Sequence, residues 1–271
     1  MKNTLILLLT MSCPLLLMSQ AYSAVFKNGD TPTEIGLRLS WAEFTQRHEQ
    51  LQAKNFELVD LETARDEGER YYYGLWKERA ETPEVIVKQV PGWDSLVVLK
   101  RQMAKDKYVM QDIEAYVDGE EEVYLVAWSP GTTLHKVRKL SSWTGLMNDH
   151  EELGRRQLHM VDLEGFEMAD GKTYYLALYQ KLLPEAQTYP FRAPDPESFS
   201  TDKIYRNKSR FFLFDFEQFE KRGKQFLFGL YDAQRMGDTL IEAWDQEGLL
   251  EKTERFKAEG MELYDLDAVE Y

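Results

Sequence analysis

The chain has 271 residues, of which 43% are hydrophobic and 13% aromatic, and it carries 33 basic against 47 acidic side chains. This composition is sufficient for a packed core and excludes a globally disordered chain. The net charge of −14 repels phosphate backbones, so we expect no nucleic-acid partner.

The first residues have the pattern of a signal peptide. Lys2 precedes an apolar run from Leu5 to Met18, and Ala21-Tyr22-Ser23 provides a small-x-small cleavage site. We expect cleavage after Ser23, with Ala24 as the alternative end. The protein is therefore expected in the periplasm or outside the cell.

Residues 1–23 are accordingly interpreted as the signal peptide and residues 24–271 as a single repeat domain. The apolar run is too short for a transmembrane helix, and no later stretch approaches that length. Cys13 is the only cysteine, so the mature chain enters an oxidising compartment without disulfides.

One pattern recurs along the rest of the chain. Trp41, Trp93 and Trp143 each begin a helical pattern, and they lie about 50 residues apart. The interval from Trp143 to Trp244 is twice as long. A unit without tryptophan, beginning at Pro196, fits between these two residues. In each unit the helical pattern precedes a strand, a polar turn and an aromatic strand. A single unit cannot bury both the apolar side of its helix and the apolar face of its hairpin. The units must therefore pack on one another.

The sequence thus predicts an α+β fold of five helix–β-hairpin (αββ) repeats, near residues 41–78, 93–130, 143–180, 196–232 and 244–271. The fifth repeat stops after its first strand. Residues 24–26 resemble the end of the missing second strand. We expect this segment to pair with residues 263–269, which would close the sheet and remove an exposed edge.

The residue fourteen positions after each helix start, or sixteen in the fifth unit, should end the helix in a left-handed turn. Asn55 and Gly260 suit that conformation. Lys107, Gln157 and Arg210 do not, so we expect those three helices to end differently.

Three features of the first unit carry a family resemblance: Trp41 with Phe44, the run Asn55 to Asp60, and the closing run Tyr72 to Trp76. Together they resemble the tandem-repeat region beside the serine-hydrolase domain of secreted polyglycine hydrolases, and similar bacterial secreted repeat proteins. The resemblance implies a non-catalytic repeat fold, because the β-lactamase-like hydrolase domain of that family has no counterpart in these residues.

The most repeated polar feature is an Asp-apolar-acid sequence at the same place in every unit: Asp60-Leu61-Glu62, Asp112-Ile113-Glu114, Asp162-Leu163-Glu164, Asp215-Phe216-Glu217 and Asp265-Leu266-Asp267. Residues two apart share one face of a strand. If the units surround an axis, the carboxylates converge and could hold a hard cation such as Ca²⁺. The simpler interpretation, which we favour, is that each Asp begins a hairpin turn and each Glu is solvated.

The aromatic strands end on large residues, of which Trp76 and Trp128 could stack on a sugar ring or a peptide. The alternative is that they fill the core. The candidate ligand-binding residues are therefore Asp60, Glu62, Asp112, Asp162, Asp215, Trp76 and Trp128. We assign no catalytic residue, no metal ligand and no cofactor.

Equivalent residues that recur in every unit are typical of a repeat binder. We therefore expect an exported, non-catalytic binding module for a peptide, glycan or protein, with a neutral or cationic ligand. One alternative is a carboxylate-based hydrolase, such as a glycosidase, with its site between repeats. Another is a structural or inhibitory envelope protein.

Overall fold

The computed structural model describes residues 22–66, 68–81, 83–182, 186–221, 224–233, 238–243 and 245–268. Within these residues the helices are α1 (Trp41–Gln52), α2 (Trp93–Lys105), α3 (Trp143–Gly154), α4 (Pro196–Lys208) and α5 (Gln246–Ala258). The strands are β1 (Tyr22–Asn28), β2 (Thr33–Leu39), β3 (Phe56–Asp66), β4 (Glu69–Glu78), β5 (Ile86–Pro91), β6 (Tyr108–Asp118), β7 (Glu121–Pro130), β8 (His135–Leu140), β9 (Leu158–Glu167), β10 (Thr173–Lys181), β11 (Thr188–Ala193), β12 (Phe212–Lys221), β13 (Lys224–Asp232), β14 (Thr239–Ala243) and β15 (Met261–Ala268). The described helices are all too short or too polar to cross a bilayer.

Each unit is a helix with a three-stranded antiparallel sheet, which confirms the predicted repeat class. The sheet orders are β2-β4-β3, β5-β7-β6, β8-β10-β9, β11-β13-β12 and β14-β1-β15. The strand after each helix forms one edge of its sheet, and the strand before the helix forms the other. We call these the inner and the outer strands.

The outer strands were not predicted from the sequence. They are short, and several carry basic residues along their length, as in His-Lys-Val-Arg-Lys-Leu of β8. Charged side chains are typical of edge strands, where they discourage pairing with another chain. They also remove the apolar alternation by which a strand is recognised.

The inner strands β3, β6, β9, β12 and β15 contact one another in cyclic order, and β15 contacts β3. The five sheets therefore surround a single axis and form a closed ring of five units.

The two ends of the described chain meet in the fifth sheet, as predicted. β1 lies between β14 and β15, with Tyr22 paired to Ala268 and Asn28 paired to Met261. The N-terminal strand thus supplies the middle strand that the C-terminal unit lacks.

The core lies between each helix and its sheet. The apolar residue three positions into the helical pattern is buried in the first four units: Phe44, Leu96, Leu146 and Phe199. Phe44 packs on Trp76 with ring centroids 5.5 Å apart. Trp76 Nε1 donates to Nδ1 of the buried His48, whose Nε2 lies 2.8 Å from the carbonyl oxygen of Val85. The indole N–H is therefore satisfied inside the core, as buried polar groups require.

The helix starts follow the sequence signals. Ser40 and Glu43 form a capping box at α1, and Asp195 caps α4 with Pro196 at its first position. Trp244, the predicted start of the fifth unit, lies outside the described residues, and Asp245 caps α5.

The helix ends differ from the expectation. The residue that joins each helix to its inner strand has a positive φ in every unit: Asn55 64°, Lys107 63°, Gln157 60°, Arg210 64° and Gly260 78°. The prediction that three helices end differently is therefore wrong. The turn geometry is the same in all five units, and it overrides the preference of the residue that occupies it.

Candidate functional site

Each inner strand carries a β-bulge immediately before its Asp. In β3, Leu58 pairs with Trp76 and Asp60 pairs with Leu75, so Val59 is the extra residue. The same shift occurs at the equivalent place in β6, β9, β12 and β15. A bulge bends the strand and redirects the side chains that follow it. Here it precedes the two acidic residues of each unit, which line cavities at the centre of the ring.

The first acids of the five units form what we call the Asp layer: Asp60, Asp112, Asp162, Asp215 and Asp265. Asp162 Oδ2 accepts a hydrogen bond from the backbone N–H of Ile113 at 2.7 Å, and Asp60 Oδ2 accepts one from Leu266 at 2.9 Å. An equivalent bond runs from Phe216 to Asp265 at 3.0 Å. In each case the Asp accepts from the neighbouring unit, and the Asp60 bond joins the first unit to the fifth.

These aspartates lie inside strands. Asp60, Asp112, Asp162, Asp215 and Asp265 are each paired with a residue of the middle strand of their sheet. The interpretation that each Asp begins a hairpin turn is therefore wrong. The acids that follow them are buried, so the expectation of solvated glutamates is wrong too.

Those following acids form what we call the Glu layer: Glu62, Glu114, Glu164, Glu217 and Asp267. Each is no more than 5% exposed. One carboxylate oxygen from each of Glu62, Glu114 and Glu217 lies within 4.8 Å of the other two. Glu164 of the third unit lies within hydrogen-bonding reach of Glu114. Acids from three units therefore meet around one point, and an acid from a fourth unit lies beside one of them.

Two cavities flank the Glu layer and together form what we call the axial channel. One has a volume of about 420 Å³ and is lined by the Asp layer with Lys77, Gln111 and Glu262; we call it the Asp mouth. The other, of about 380 Å³, is lined by Arg65, Arg70 and Gln218; we call it the Arg mouth. Both cavities are also lined by Glu62, Glu114 and Glu217. These three glutamates are therefore the constriction between the two mouths.

Burial is the first cause of raised pKa values throughout the channel. It raises the pKa of Asp60 and of Asp162 to about 7, and that of Asp267 to about 8. Burial, followed by neighbouring carboxylates, holds the pKa of Glu62 and of Glu217 well above the usual range. Without a cation, the channel therefore retains protons at neutral pH.

Two lysines lie where the first and fifth units meet. Lys77 Nζ forms an ion pair with Glu262 Oε1 at 2.8 Å, and Lys27 lies over the ring of Tyr264. Lys77 acts to lower the pKa of Asp60, and Lys27 acts likewise on Asp265. The negative charge of the Asp mouth is therefore strongest on the side formed by the other units.

The structure brings five of the seven predicted site residues together, namely Asp60, Glu62, Asp112, Asp162 and Asp215. The other two, Trp76 and Trp128, are fully buried in the core. An indole with no exposed surface cannot stack on a ligand, so we do not include either tryptophan in the site.

Five acids of the channel were absent from the predicted set: Glu114, Glu164, Glu217, Asp265 and Asp267. The signal for them was the same Asp-apolar-acid sequence. It was not sufficient because the sequence does not show which edge of each sheet faces the axis.

A ring of five repeats with a shared acidic axis is the class of protein that this geometry defines. Residues 33–79 match the family model described as a polyglycine hydrolase-like structural repeat. The match begins with β2 and ends just after β4, so it covers one complete unit of strand, helix and hairpin. This confirms the resemblance for the first unit, and the other four units repeat its architecture. A comparison with curated proteins finds no match.

Proposed function

We propose that the protein is an exported, non-catalytic binding module that takes a cationic group of a peptide into its Asp mouth. The observation that carries the proposal is the convergence of acidic residues from all five units on one channel. Carboxylates are acceptors only, and an ammonium group offers them three donors. The buried positions of Trp76 and Trp128 favour a peptide over a glycan stacked on these indoles.

The size of the Asp mouth limits what can enter. A cavity of about 420 Å³ accommodates a side chain or a chain end, and it is too small for a folded domain. A lysine ammonium or a free amino terminus fits both the volume and the charge. Asp112 lines this space and its Oδ2 has no hydrogen-bond partner, which makes this carboxylate a candidate acceptor. A glycine-rich peptide with a free amino terminus suits the channel because it has no side chains to exclude.

Export is part of the proposal, and it rests on the signal-peptide pattern. Tyr22 and Ser23 belong to β1, both are buried, and Ser23 Oγ accepts a hydrogen bond from Gln218 Nε2 at 2.6 Å. Cleavage after Ser23 or Ala24 would remove these contacts. We therefore now expect cleavage after Ala21, where Ser19-Gln20-Ala21 also meets the small-x-small rule. Residues 1–21 lie outside the described part of the chain.

Intact-mass measurement of the protein recovered from the envelope or the medium tests this point. A mature chain that begins at Tyr22 is expected. A chain that retains Met1, or one lipidated at Cys13, would contradict export by ordinary cleavage.

Peptide binding is tested by fluorescence anisotropy with three labelled decapeptides: oligolysine, oligoglycine with a free amino terminus, and oligoglycine with an acetylated amino terminus. We expect the first two to bind and the third not to bind. The variant D112N/D215N should weaken binding about tenfold or more, because it replaces two negatively charged carboxylates of the Asp mouth with neutral amides. Asp60, Asp162 and Asp265 are left unchanged because they make the inter-unit bonds described above. Asp112 accepts a backbone hydrogen bond from Leu61, which the oxygen of an asparagine side chain can still accept.

The matched control is E49Q/E152Q, which removes two charges from exposed helix positions. Equal losses in both variants would mean that only the overall charge attracts the peptide, and would overturn the proposal. So would no binding by any peptide. Cleavage of a bound peptide, followed by mass spectrometry, would contradict the non-catalytic assignment.

A further inference from the structure

We infer that a Ca²⁺ ion binds on the axis of the ring, with Glu62, Glu114 and Glu217 as its protein ligands. The first support is distance. Oxygens of the three side chains lie within 4.8 Å of one another. Ca²⁺–oxygen bonds are about 2.4 Å long, so ligands on opposite sides of the ion are separated by about 4.8 Å. The three oxygens therefore have separations of the kind found between ligands of one Ca²⁺ ion.

An independent observation comes from Glu164 of the third unit. Its side chain is buried, at 5% exposure, and its Oε1 accepts no hydrogen bond from a backbone or side-chain donor, because the groups beside it, Glu114 and Asp162, are acids too. Glu164 lies beside Glu114, and it lines the Arg mouth together with the three proposed ligands. A buried polar atom without a partner is costly, and such atoms are uncommon in folded proteins. A cation at the constriction, next to Glu114, would offset the negative charge that surrounds this side chain.

The electrostatic surroundings of the constriction also favour a cation. The side chains that act most strongly on Glu217 are Glu164, Glu62, Asp267 and Glu114, all of them acidic. The two lysines at the Asp mouth act on Asp60 and Asp265, which belong to the other layer. Arg65 and Arg70 line the Arg mouth, but the groups that act most strongly on Glu217 are acids, and buried acids repel one another. A divalent ion at their centre would offset that repulsion.

The ligand chemistry selects Ca²⁺ among the common cations. All the oxygens at the constriction come from carboxylates, which suit hard cations, whereas structural zinc sites are built from cysteine and histidine. Mg²⁺ requires bonds of about 2.0–2.1 Å in a strict octahedron and keeps several waters. Three glutamates, each able to bind through one or two oxygens, match the six to eight oxygen ligands that Ca²⁺ accepts.

The inference is separate from peptide binding, because it concerns the constriction and the peptide is placed at the Asp mouth. The test uses the full mature chain after treatment with a chelator and removal of the chelator. Isothermal titration with CaCl₂ is expected to show one Ca²⁺ per chain, and Ca²⁺ should raise Tm. MgCl₂ at the same concentration should have a much smaller effect.

The variant E62Q/E114Q/E217Q should lose Ca²⁺ affinity by a factor of at least one hundred. In the presence of chelator its Tm should equal or exceed that of the wild type, because amides do not repel one another. An unchanged or raised Tm together with lost Ca²⁺ affinity shows that the variant has lost its Ca²⁺ ligands and has kept its fold. The matched control E49Q/E152Q/E251Q removes three exposed charges and should bind Ca²⁺ as the wild type does.

The single variant E217Q provides a second measurement if the triple variant does not fold, and it should weaken binding about tenfold or more. Three results would overturn the inference: no Ca²⁺ binding by the wild type, wild-type affinity in E217Q, or an equal loss in the control.

Discussion

The residues that join each helix to its inner strand adopt the left-handed conformation whether or not they are glycine. In the second unit this residue is Lys107, with φ of 63°. A side chain in this conformation brings Cβ close to the backbone and costs about 1–2 kcal/mol. The unit tolerates the cost because the turn must direct the inner strand toward the axis.

We predict that Lys107→Gly raises the free energy of unfolding by about 1 kcal/mol, because glycine adopts positive φ without strain. Urea denaturation measures the change. The control is Lys105→Gly, two residues earlier in the last turn of α2 and also exposed. That change should lower stability by about 1 kcal/mol, since glycine is a poor helix former. A destabilised Lys107→Gly variant would contradict the account of this turn.

The acidic residues of the channel make stability depend on pH. The pKa of Asp60 and of Asp162 rises from 3.8 to about 7 on folding, mainly through burial. Below pH 4 both the folded and the unfolded chain hold these protons. As pH rises, the unfolded chain loses them first, so the folded state becomes less stable until the folded pKa is passed.

We therefore predict that, in chelator, the free energy of unfolding decreases from about pH 6.5 to pH 8. Below that range the histidines, whose pKa values burial lowers, act in the opposite direction. Asp267, whose pKa is raised to about 8, extends the decrease to the upper end of that range. Urea titrations at four pH values provide the measurement. The decrease should be smaller in E62Q/E114Q/E217Q. A stability that increases steadily over this range would show that the channel carboxylates are not buried as described.

At the scale of single residues, the sequence revealed which acids recur but not where they meet. Asp60 and Glu62 are visible as a repeated pair, and Trp76 is visible as a repeated strand end. Whether either faces a ligand depends on which edge of the sheet is innermost. That choice is made by packing between units, which lies beyond the local pattern.

At the scale of elements, the bulge in each inner strand determines the direction of the acids. The helices and the hairpin strands were predictable because their apolar spacing is regular. The bulges were not, since a single extra residue such as Val59 leaves no distinct mark in the sequence. The outer strands were missed for a related reason, because their charged residues obscure the alternation.

The element that closes the ring is β1. Val25 and Phe26 of this strand are fully buried, and β1 is hydrogen-bonded on both sides. We predict that a chain beginning at Gly29 melts at least 10 °C lower than one beginning at Tyr22, or does not fold, because it lacks the middle strand of one sheet. Thermal unfolding by circular dichroism measures the difference.

Adding a peptide with the sequence of residues 22–28 should restore part of the lost stability, since a strand can be supplied in trans. A peptide with Phe26 replaced by Asp is the control, and it should have no effect. Equal melting temperatures for the two chains would contradict closure by β1.

At the scale of the whole molecule, the five units place ten acidic residues around one channel. A solitary unit would expose its Asp and Glu to solvent on the edge of a small sheet. The closed ring buries them, joins neighbouring units through the Asp layer, and creates the constriction in the Glu layer. Because the constriction and the Asp mouth belong to one channel, a cation bound at one of them should affect binding at the other, and either should affect stability. Ca²⁺ in the constriction should weaken a cationic peptide at the Asp mouth.

The central claim is that acids from separate repeats converge on one axial cation site. The most direct measurement is a crystal structure of the mature chain grown with Ca²⁺, with an anomalous difference map recorded at long wavelength. The account predicts one strong peak per chain, about 2.3–2.6 Å from oxygens of Glu62, Glu114 and Glu217. A map without a peak on the axis, or a structure in which these three side chains point away from one another, would contradict it.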